Sequence, residues 1–488
     1  MPTPSTPDWQ QTRARYDAAL RWLDALITDP KGERYLLPQT QEEHRRSQQA
    51  GLARTTRFLD YLDNPQQAYH AVHIAGTGGK GSVATMIAGI LRASGASTGL
   101  HTSPYLQVPN EKLVANGRMI APSGLVELIE QFRTLYAGYV ARFPTEPPKY
   151  LEAWAGMTHL FFRRMGVEWA VIETGMGGRY DPTNASDYEL AIITNVDLDH
   201  LPQLGTSLPE IAWHKAGIIE PGKPTVTGET RPEALEVIER EAASQASKLF
   251  RIGRDYRVEN TRHHEHGVIT NIRTPFGSLT DLYVSLLGEY QATNAGTAIM
   301  GAHLLREWHG VPVTEEAIRG AMGDLKIAGR MEVVQTAPLV IIDGAHNPQK
   351  LRAAAASLRQ DYPSVEKTLV IGMLRTKDAR ASLAEILPIA DHVIATEARV
   401  TGKPSFEARE IADMARSLRP GASVTVEPDV QLGIEQAIGS VRPGGMVFVT
   451  GSIYMLGRAR ELWHPREELL RRLEYAEGAT LPASGPTP

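Results

Sequence analysis

The sequence predicts an α/β protein, and three patterns lead to that class. Short apolar runs at residues 71–75, 97–101, 167–174 and 190–196 each end in polar residues, as buried parallel strands do at their carboxyl ends. Helical spacing fills the intervals between them, so the crossovers are helical and the sheet is mostly parallel. A second series, at 339–343, 368–373, 392–396, 423–426 and 446–450, repeats the alternation after Gly329-Arg330 and predicts a smaller doubly wound unit. At 488 residues the chain exceeds one core. The expected division is a domain over 1–328, with N-terminal helices, and a C-terminal domain over 329–488, whose tail from 475 is expected to be disordered.

In chain order, Tyr16, Ala19, Leu20, Leu23, Leu26 and Ile27 mark an amphipathic helix. Thr40 and Glu43 are spaced as a capping box for a second helix, ending by Asn64-Pro65. Val83, Met86, Ile87, Ile90 and Leu91 repeat at helical spacing, with Gly95 as a stop. Leu125, Leu128, Phe132 and Leu135 give another helix, and one from about 151 stops at Gly166. Ser207 and Glu210 box a short helix ending at Lys215-Ala216-Gly217. Residues 258–287 alternate as hairpins around Pro275-Phe276-Gly277, and a helix through Asn294, Ala298, Ala302 and Leu305 is expected to close the first domain.

Gly76-Thr77-Gly78-Gly79-Lys80-Gly81-Ser82 lies between the first strand and its helix. Glycines there let backbone amides turn toward an anion, and the helix N-terminus adds positive potential. Lys80 is placed to reach β/γ oxygens and Ser82 to ligate Mg²⁺. A Gly separates Lys80 from Ser82, so the spacing differs from G-x-x-x-x-G-K-[ST]. A Lys and a Ser both in place favour nucleotide binding over an ordinary Gly-rich turn, and the fold becomes a P-loop-type, mostly parallel sheet. The loop by itself is equally at home in a kinase or an ATPase.

Composition removes other classes. The 51 Lys+Arg against 56 Asp+Glu give a net charge of −5, which offers no general field for nucleic acid or an anionic membrane. Cysteine is absent, which excludes disulfides, thiolate zinc sites, Fe–S clusters and a cysteine nucleophile. No apolar stretch approaches the roughly 20 residues that span a bilayer. A cytoplasmic enzyme is expected.

Other groups lie where strands end. Glu173 precedes Thr174-Gly175-Met176-Gly177-Gly178, and an acid beside a nucleotide loop is where Mg²⁺ needs a ligand. His200, in Asp197-Leu198-Asp199-His200 after another strand, reads equally as a functional group or as a helix-capping or satisfied loop histidine. Lys215 in the last turn of its helix suits the helix dipole. Asp343-Gly344-Ala345-His346-Asn347-Pro348 is strand, turn and helix; its residues also favour turns without function. His263-His264-Glu265-His266 suggests a metal, but neighbouring strand residues face opposite sides and a solvated edge is the better reading.

Taken together, from about Tyr16 to Leu462, these segments resemble the folylpolyglutamate synthase/dihydrofolate synthase branch of the Mur ligases. Gly76 to Ser82 matches the family's Gly-Thr-x-Gly-Lys-Gly-Ser loop. Thr102-Ser103-Pro104-Tyr105-Leu106 matches its Thr-Ser-Pro-His-Leu folate-side loop, and Asn110-Glu111-Lys112-Leu113 its Asn-Glu-Arg-Ile. Glu173 to Gly178, Leu198 to His200, residues 212–218, Gly288 to Asn294, Gly329-Arg330, Asp343 to Asn347 and Gly451 to Tyr454 complete the order. Gly78 stands where Asn or Lys is usual, Tyr105 and Tyr290 where histidines are, and His214 where Glu is. The resemblance implies an ATP- and Mg²⁺-dependent ligase that adds L-glutamate to a folate or pteroate carboxylate through an acyl phosphate, acting as a monomer. A related ligase for a non-folate acid is the alternative.

The same resemblance implies roles by position. Gly76, Thr77, Gly79, Lys80, Gly81 and Ser82 would hold the phosphates with Arg330, Asn294 the adenine and Asp343 the ribose. Ser82, Glu173 and His200 would ligate Mg²⁺. Lys215 would be carbamylated and help hold a second ion. His346 would act near the phosphates and the glutamate. Thr102, Ser103, Pro104 and Tyr105 would meet the acid substrate.

Overall fold

The computed structural model describes residues 8–33, 39–476 and 481–482. Most of the segment expected to be disordered lies outside the described residues. No described helix is long and apolar enough to cross a membrane.

The first sheet has eight strands. Six are parallel, in the spatial order Thr98–His101, Trp169–Glu173, His70–Ala75, Leu190–Ile193, Thr225–Thr227 and Leu249–Arg251. Val114–Ala115 and Arg118–Met119 add a short antiparallel edge. His70–Ala75 lies between Trp169–Glu173 and Leu190–Ile193, with Ile74 level with Glu173 and Ala75 level with Ile193. The chain leaves this strand to build one side of the sheet and later returns to build the other. A crevice therefore opens beyond its carboxyl end. The strands are buried on both faces, as helix-covered parallel strands must be.

Helices Lys80–Ala93 and Tyr290–His309 cover one face, with the three-stranded antiparallel sheet Arg257–His264, Gly267–Thr274 and Gly277–Val284 packed into the same core. Trp9–Asp24, Gln41–Tyr61, Pro122–Arg142 and Tyr150–Met165 bury an aromatic-rich core on the other face. The capping boxes at Thr40/Glu43 and Ser207/Glu210 both form, and Gly166 ends its helix in the left-handed region. One expectation is corrected. Tyr290–His309 does not end this core, because a further helix, Glu315–Gly323, adds Ile318 and Met322 to it.

The second sheet has six strands in the order Glu332–Thr336, Leu339–Ile342, Met446–Thr450, Lys367–Ile371, His392–Ala395 and Ser423–Val426, parallel except for the first. The two sheets are joined by contacts at their facing ends. Leu106, from the first sheet's strand-end loop, belongs to a core cluster of the second, and Gln107 donates to the His464 carbonyl at 2.9 Å. His263 does not line a solvated edge but faces Asp361 of helix Pro348–Asp361, Nδ1 to Oδ1 2.5 Å. His264, Glu265 and His266 are exposed, and no described cluster of His, Asp or Glu would hold a metal unaided.

Two histidines are sealed beneath the crevice. His73 stacks on Tyr188 at 3.9 Å and shares a 2.9 Å hydrogen bond with Thr183, while His159 meets Tyr69 and Ser186. Burial lowers their pKa values to about 3 and about 4 respectively. In the unfolded chain both return to about 6.5. The unfolded state thus takes up protons first as pH falls, and these imidazoles favour the fold only above that value. Between pH 7.5 and 5.5 the unfolding free energy is expected to drop by about 2.7 kcal/mol for the pair. Urea unfolding at the two pH values checks this, and a flat profile would contradict it.

Candidate active site

The crevice at the end of His70–Ala75 is floored by the Gly-rich loop. Gly76 opens it at φ 155°, and a Cβ there would lie 1.8 Å from Thr194 Oγ1. Gly79 caps helix Lys80–Ala93 at φ 77°, where a Cβ would lie 2.4 Å from Asn294 Oδ1. No side chain fits at either position, so the backbone itself lines the crevice. Asn195 Oδ1 accepts from the N–H groups of Thr77 at 3.2 Å and Gly78 at 2.8 Å, holding them parallel, and Thr194 donates to the Gly78 carbonyl at 2.6 Å. Thr77 Oγ1 accepts from the Asp197 N–H at 2.9 Å.

Glu173 stands beside the loop with its carboxylate 3.7 Å from Lys80 Nζ, and a Cβ on Gly81 would lie 3.3 Å from it. The same carboxylate accepts from the Ser103 N–H at 3.1 Å. Ser103 therefore ties the loop after strand Thr98–His101 to Glu173 beside the Gly-rich loop, and Lys112 Nζ reaches Ser103 Oγ at 3.4 Å. Burial brings Lys112 down to about 8, with Glu173 and Asp181 opposing the fall. The bond from Ser103 to Pro104 is cis. Thr102 and Ser103 continue from strand Thr98–His101. Tyr105 lines a cavity of about 220 Å³ with Asp24, Tyr150, Trp154 and Arg466. Burial raises its phenol, with Asp24 adding to the rise.

Across the crevice, the second sheet contributes from its own strand ends. Asp343 accepts from the N–H groups of Met331 and Ala345, and Arg330 lies over Gly344, where a Cβ would fall 2.4 Å from its guanidinium. Asp343 is raised by burial against the pull of Arg330. His346 donates from Nδ1 to the Gly344 carbonyl at 2.7 Å, so its Nε2 lone pair accepts from Lys350 Nζ at 3.2 Å. Burial and the neighbouring lysines hold this imidazole well below its usual range, and it is neutral.

Asp199 joins the halves. It pairs closely with Lys377, accepts from Asn347 Nδ2 at 3.2 Å and lies 3.9 Å from His346 Nε2. His200 follows it at φ 54°, and burial lowers its pKa to about 3 although Asp199 pulls the other way. Lys215 lies in the last turn of Leu208–Ala216, as expected, but it is buried at 3% exposure and not set in solvent at the helix end. Burial, with Lys80, Lys350 and Lys377 nearby, draws its amine down to about 7.

The structure thus gathers the loop, Glu173, Asn294, Lys215, His200, Arg330, Asp343 and His346 around one crevice, with Ser103 at its edge. Tyr105 sits farther along, among helices of the first half. Asn195, Lys350 and Lys377 were not singled out by sequence reasoning, and Lys112 and Asp199 appeared only as parts of motifs. Lysines already exceed the carboxylates facing them, and the backbone at Gly76 and Gly79 is bare, so the crevice suits a polyphosphate. Ser82, buried at 3%, and Glu173 supply hard oxygens of the kind Mg²⁺ prefers, and Mg²⁺ takes one or two carboxylates plus phosphate oxygens.

Residues 74–302 match the Mur ligase middle domain and residues 329–453 the Mur ligase glutamate ligase domain. This fold and crevice are those of a Mur-type ligase. The chain is 32% identical over 405 residues to folylpolyglutamate synthase of Lacticaseibacillus casei, covering 83% of this chain and 92% of the relative. It is 30% identical over 417 residues to dihydrofolate synthase/folylpolyglutamate synthase of Bacillus subtilis, covering 84% and 94%. The structure of Mycobacterium tuberculosis folylpolyglutamate synthase complexed with ADP superposes with a TM-score of 0.82 at 27% identity, over 93% of this chain and 99% of that one. The chain belongs to the folylpolyglutamate synthase/dihydrofolate synthase family.

The bare backbone at Gly79 gives a direct check. Gly79→Ala forces a side chain into a left-handed conformation, at a cost of about 1–2 kcal/mol, and drives its Cβ against Asn294. Nucleotide affinity is expected to fall at least tenfold in a protein that still folds, as read by titration calorimetry and a thermal melt. Unchanged affinity would show that Asn294 and the loop do not share a ligand.

Proposed function

We propose that the chain is an ATP-dependent ligase that joins the amine of L-glutamate to the carboxylate of a folate or pteroate acid. The observation that carries this reading is the crevice itself: a bare Gly-rich loop on one sheet, faced by half-buried lysines and a neutral histidine from the other, in a chain of this family. The composite site lies within one polypeptide, which supports a monomer, and the reading places the enzyme in the cytoplasm. The division into two domains near residue 329 belongs to the same proposal.

In this reading Gly76, Thr77, Gly79, Gly81, Lys80 and Arg330 hold the phosphates, Asn294 the adenine and Asp343 the ribose. Ser82, Glu173 and His200 hold Mg²⁺, which when bound neutralises charge on the phosphate oxygens. Thr102, Ser103, Pro104 and Tyr105 present the acid. Its carboxylate oxygen bonds to the γ-phosphorus as the bond from phosphorus to the β-bridging oxygen breaks, giving an acyl phosphate and ADP. The glutamate amine then adds to the acyl carbon, phosphate leaves, and the amine loses its proton. Lys80 and Arg330 meet the charge that builds on the transferred group, and His346, neutral with its Nε2 lone pair in the crevice, lies on the side from which glutamate arrives. Packing of the two halves over the crevice excludes water from the acyl phosphate.

ADP release is expected to require Mg²⁺, a pteroate or folate acid and L-glutamate together. Equal turnover without an amine, or with hydroxyl acceptors such as glycerol, would make the protein an ATPase or a kinase. Lys80→Ala is expected to lose about 3 kcal/mol of transition-state stabilisation while remaining folded. Near-wild-type kcat in that variant would remove the loop from the chemistry.

Lys215 is the expected site of carbamylation. An amine captures CO₂ only when neutral, losing a proton as its nitrogen bonds to carbon, and burial has already brought Lys215 to about 7. The product is a carboxylate among lysines, suited to a second Mg²⁺. Mass spectrometry under CO₂ is expected to show the added mass, and small carboxylates to rescue Lys215→Ala. A fully active Lys215→Ala would overturn the assignment.

A further inference from the structure

We propose that Lys350, carried by helix Pro348–Asp361 of the second sheet, is a phosphate-binding residue that contacts the terminal phosphoryl group of a nucleoside triphosphate held in the loop of the first sheet. The inference rests on the ligase reading for the identity of the ligand, but its geometry stands by itself.

Lys350 carries the second half up to the loop. Its Cε lies 3.7 Å from where a Cβ on Gly78 would be, and Asn195 Nδ2 lies 3.4 Å from the same point. Gly78 is the loop position that departs from the Asn or Lys usual in the family, and the space over it is filled from the other half by a lysine stem. The Lys350 stem reaches this point from helix Pro348–Asp361, whose N-cap Asn347 also holds Asp199.

The partners of the neighbouring cations differ from those of Lys350. Lys377 is paired with Asp199, Lys80 faces Glu173 at 3.7 Å, and Arg330 donates to the Gly329 carbonyl at 3.3 Å. The Lys350 ammonium makes one hydrogen bond, to the neutral Nε2 of His346, and its other hydrogens have no acceptor among the described residues. A half-buried ammonium with only a neutral partner is poorly compensated, and an anion on the loop would compensate it. Burial together with Lys80, Lys377 and Arg330 draws Lys350 down to about 7, with only Asp199 opposing, which is the signature of a surplus cation.

Lys350 approaches the loop from the second half, so it is assigned the end of the polyphosphate that faces that half. On that assignment a triphosphate is held more tightly than a diphosphate, a distinction that a merely structural lysine would not make.

The test uses the full chain with Mg²⁺ and compares ADP with a non-hydrolysable ATP analogue by titration calorimetry. Lys350→Gln keeps the stem and a donor for His346 but removes the charge. It is expected to bind the triphosphate analogue at least tenfold more weakly while binding ADP within about twofold of wild type. Lys350→Arg is expected to keep the triphosphate preference. Gly78 is outside the left-handed region and its Cβ position is uncrowded, so Gly78→Lys added to Lys350→Gln is expected to restore much of that preference. A Lys350→Gln protein that keeps wild-type preference, or loses both affinities equally, overturns the proposal. Should Lys350→Gln fail to fold, Lys350→Met with and without Gly78→Lys decides by the same ratio. Wild-type turnover that ignores glutamate would refute the ligase reading yet leave the affinity ratio to judge Lys350.

Discussion

One buried carboxylate, Asp199, sets the geometry on which the crevice depends. It follows a strand of the first sheet, yet its hydrogen-bond partners Lys377 and Asn347 come from the second. Burial alone would raise this acid, but the charges of Lys377 and Lys350 hold it well below the usual carboxylate range. It stays ionised, and the two strand-end surfaces meet around it. Removing the charge would leave like-charged lysines facing each other at low dielectric, where repulsion is strongest.

That arrangement explains why the glycines are where they are. The first half brings bare backbone as well as side chains to the crevice, and the loop must be stripped of Cβ atoms where Thr194 and Asn294 press against it. Polar groups of the first half, Asn195 and Thr194 above all, hold the loop's amides and carbonyls in a fixed direction in the absence of any ligand. The charge on the far side then meets an anion whose position is already determined, which is how electrostatic stabilisation avoids reorganisation cost.

Much of this was readable in the sequence, and the exceptions have physical causes. The strand–loop–helix of the phosphate site, Glu173 at a strand end, and the second α/β series all have local signatures and appear where expected. Strands Thr225–Thr227 and Leu249–Arg251 are too short for a period to show. Glu332–Thr336 carries a register shift between Val333 and Gln335 that breaks its alternation. Lys350 looks like any solvated helix lysine, because nothing local says that the first turn of its helix points into another sheet's loop. Lys112 and Asp199 sit inside motifs, but their partners are Ser103 in one case and the opposite half in the other. Lys215 carried the right position and the wrong surroundings: the helix end that ought to be wet is buried. Contacts between halves are set by tertiary packing, which residue spacing does not encode.

The seat of Leu106 has a consequence of its own. The loop that begins at the first sheet's Thr98–His101 ends with its side chain in the second sheet's core, and a Cβ on Gly457 would fall 2.0 Å from the Leu106 carbonyl. Ser103, three residues earlier, is bonded to Glu173. Any displacement of the C-terminal half therefore pulls on the segment that carries Ser103 and, through it, on Glu173. The two halves are thus linked through a single strap of chain, and linkage is reciprocal: whatever factor a ligand on one half contributes to binding at the other, a ligand there returns.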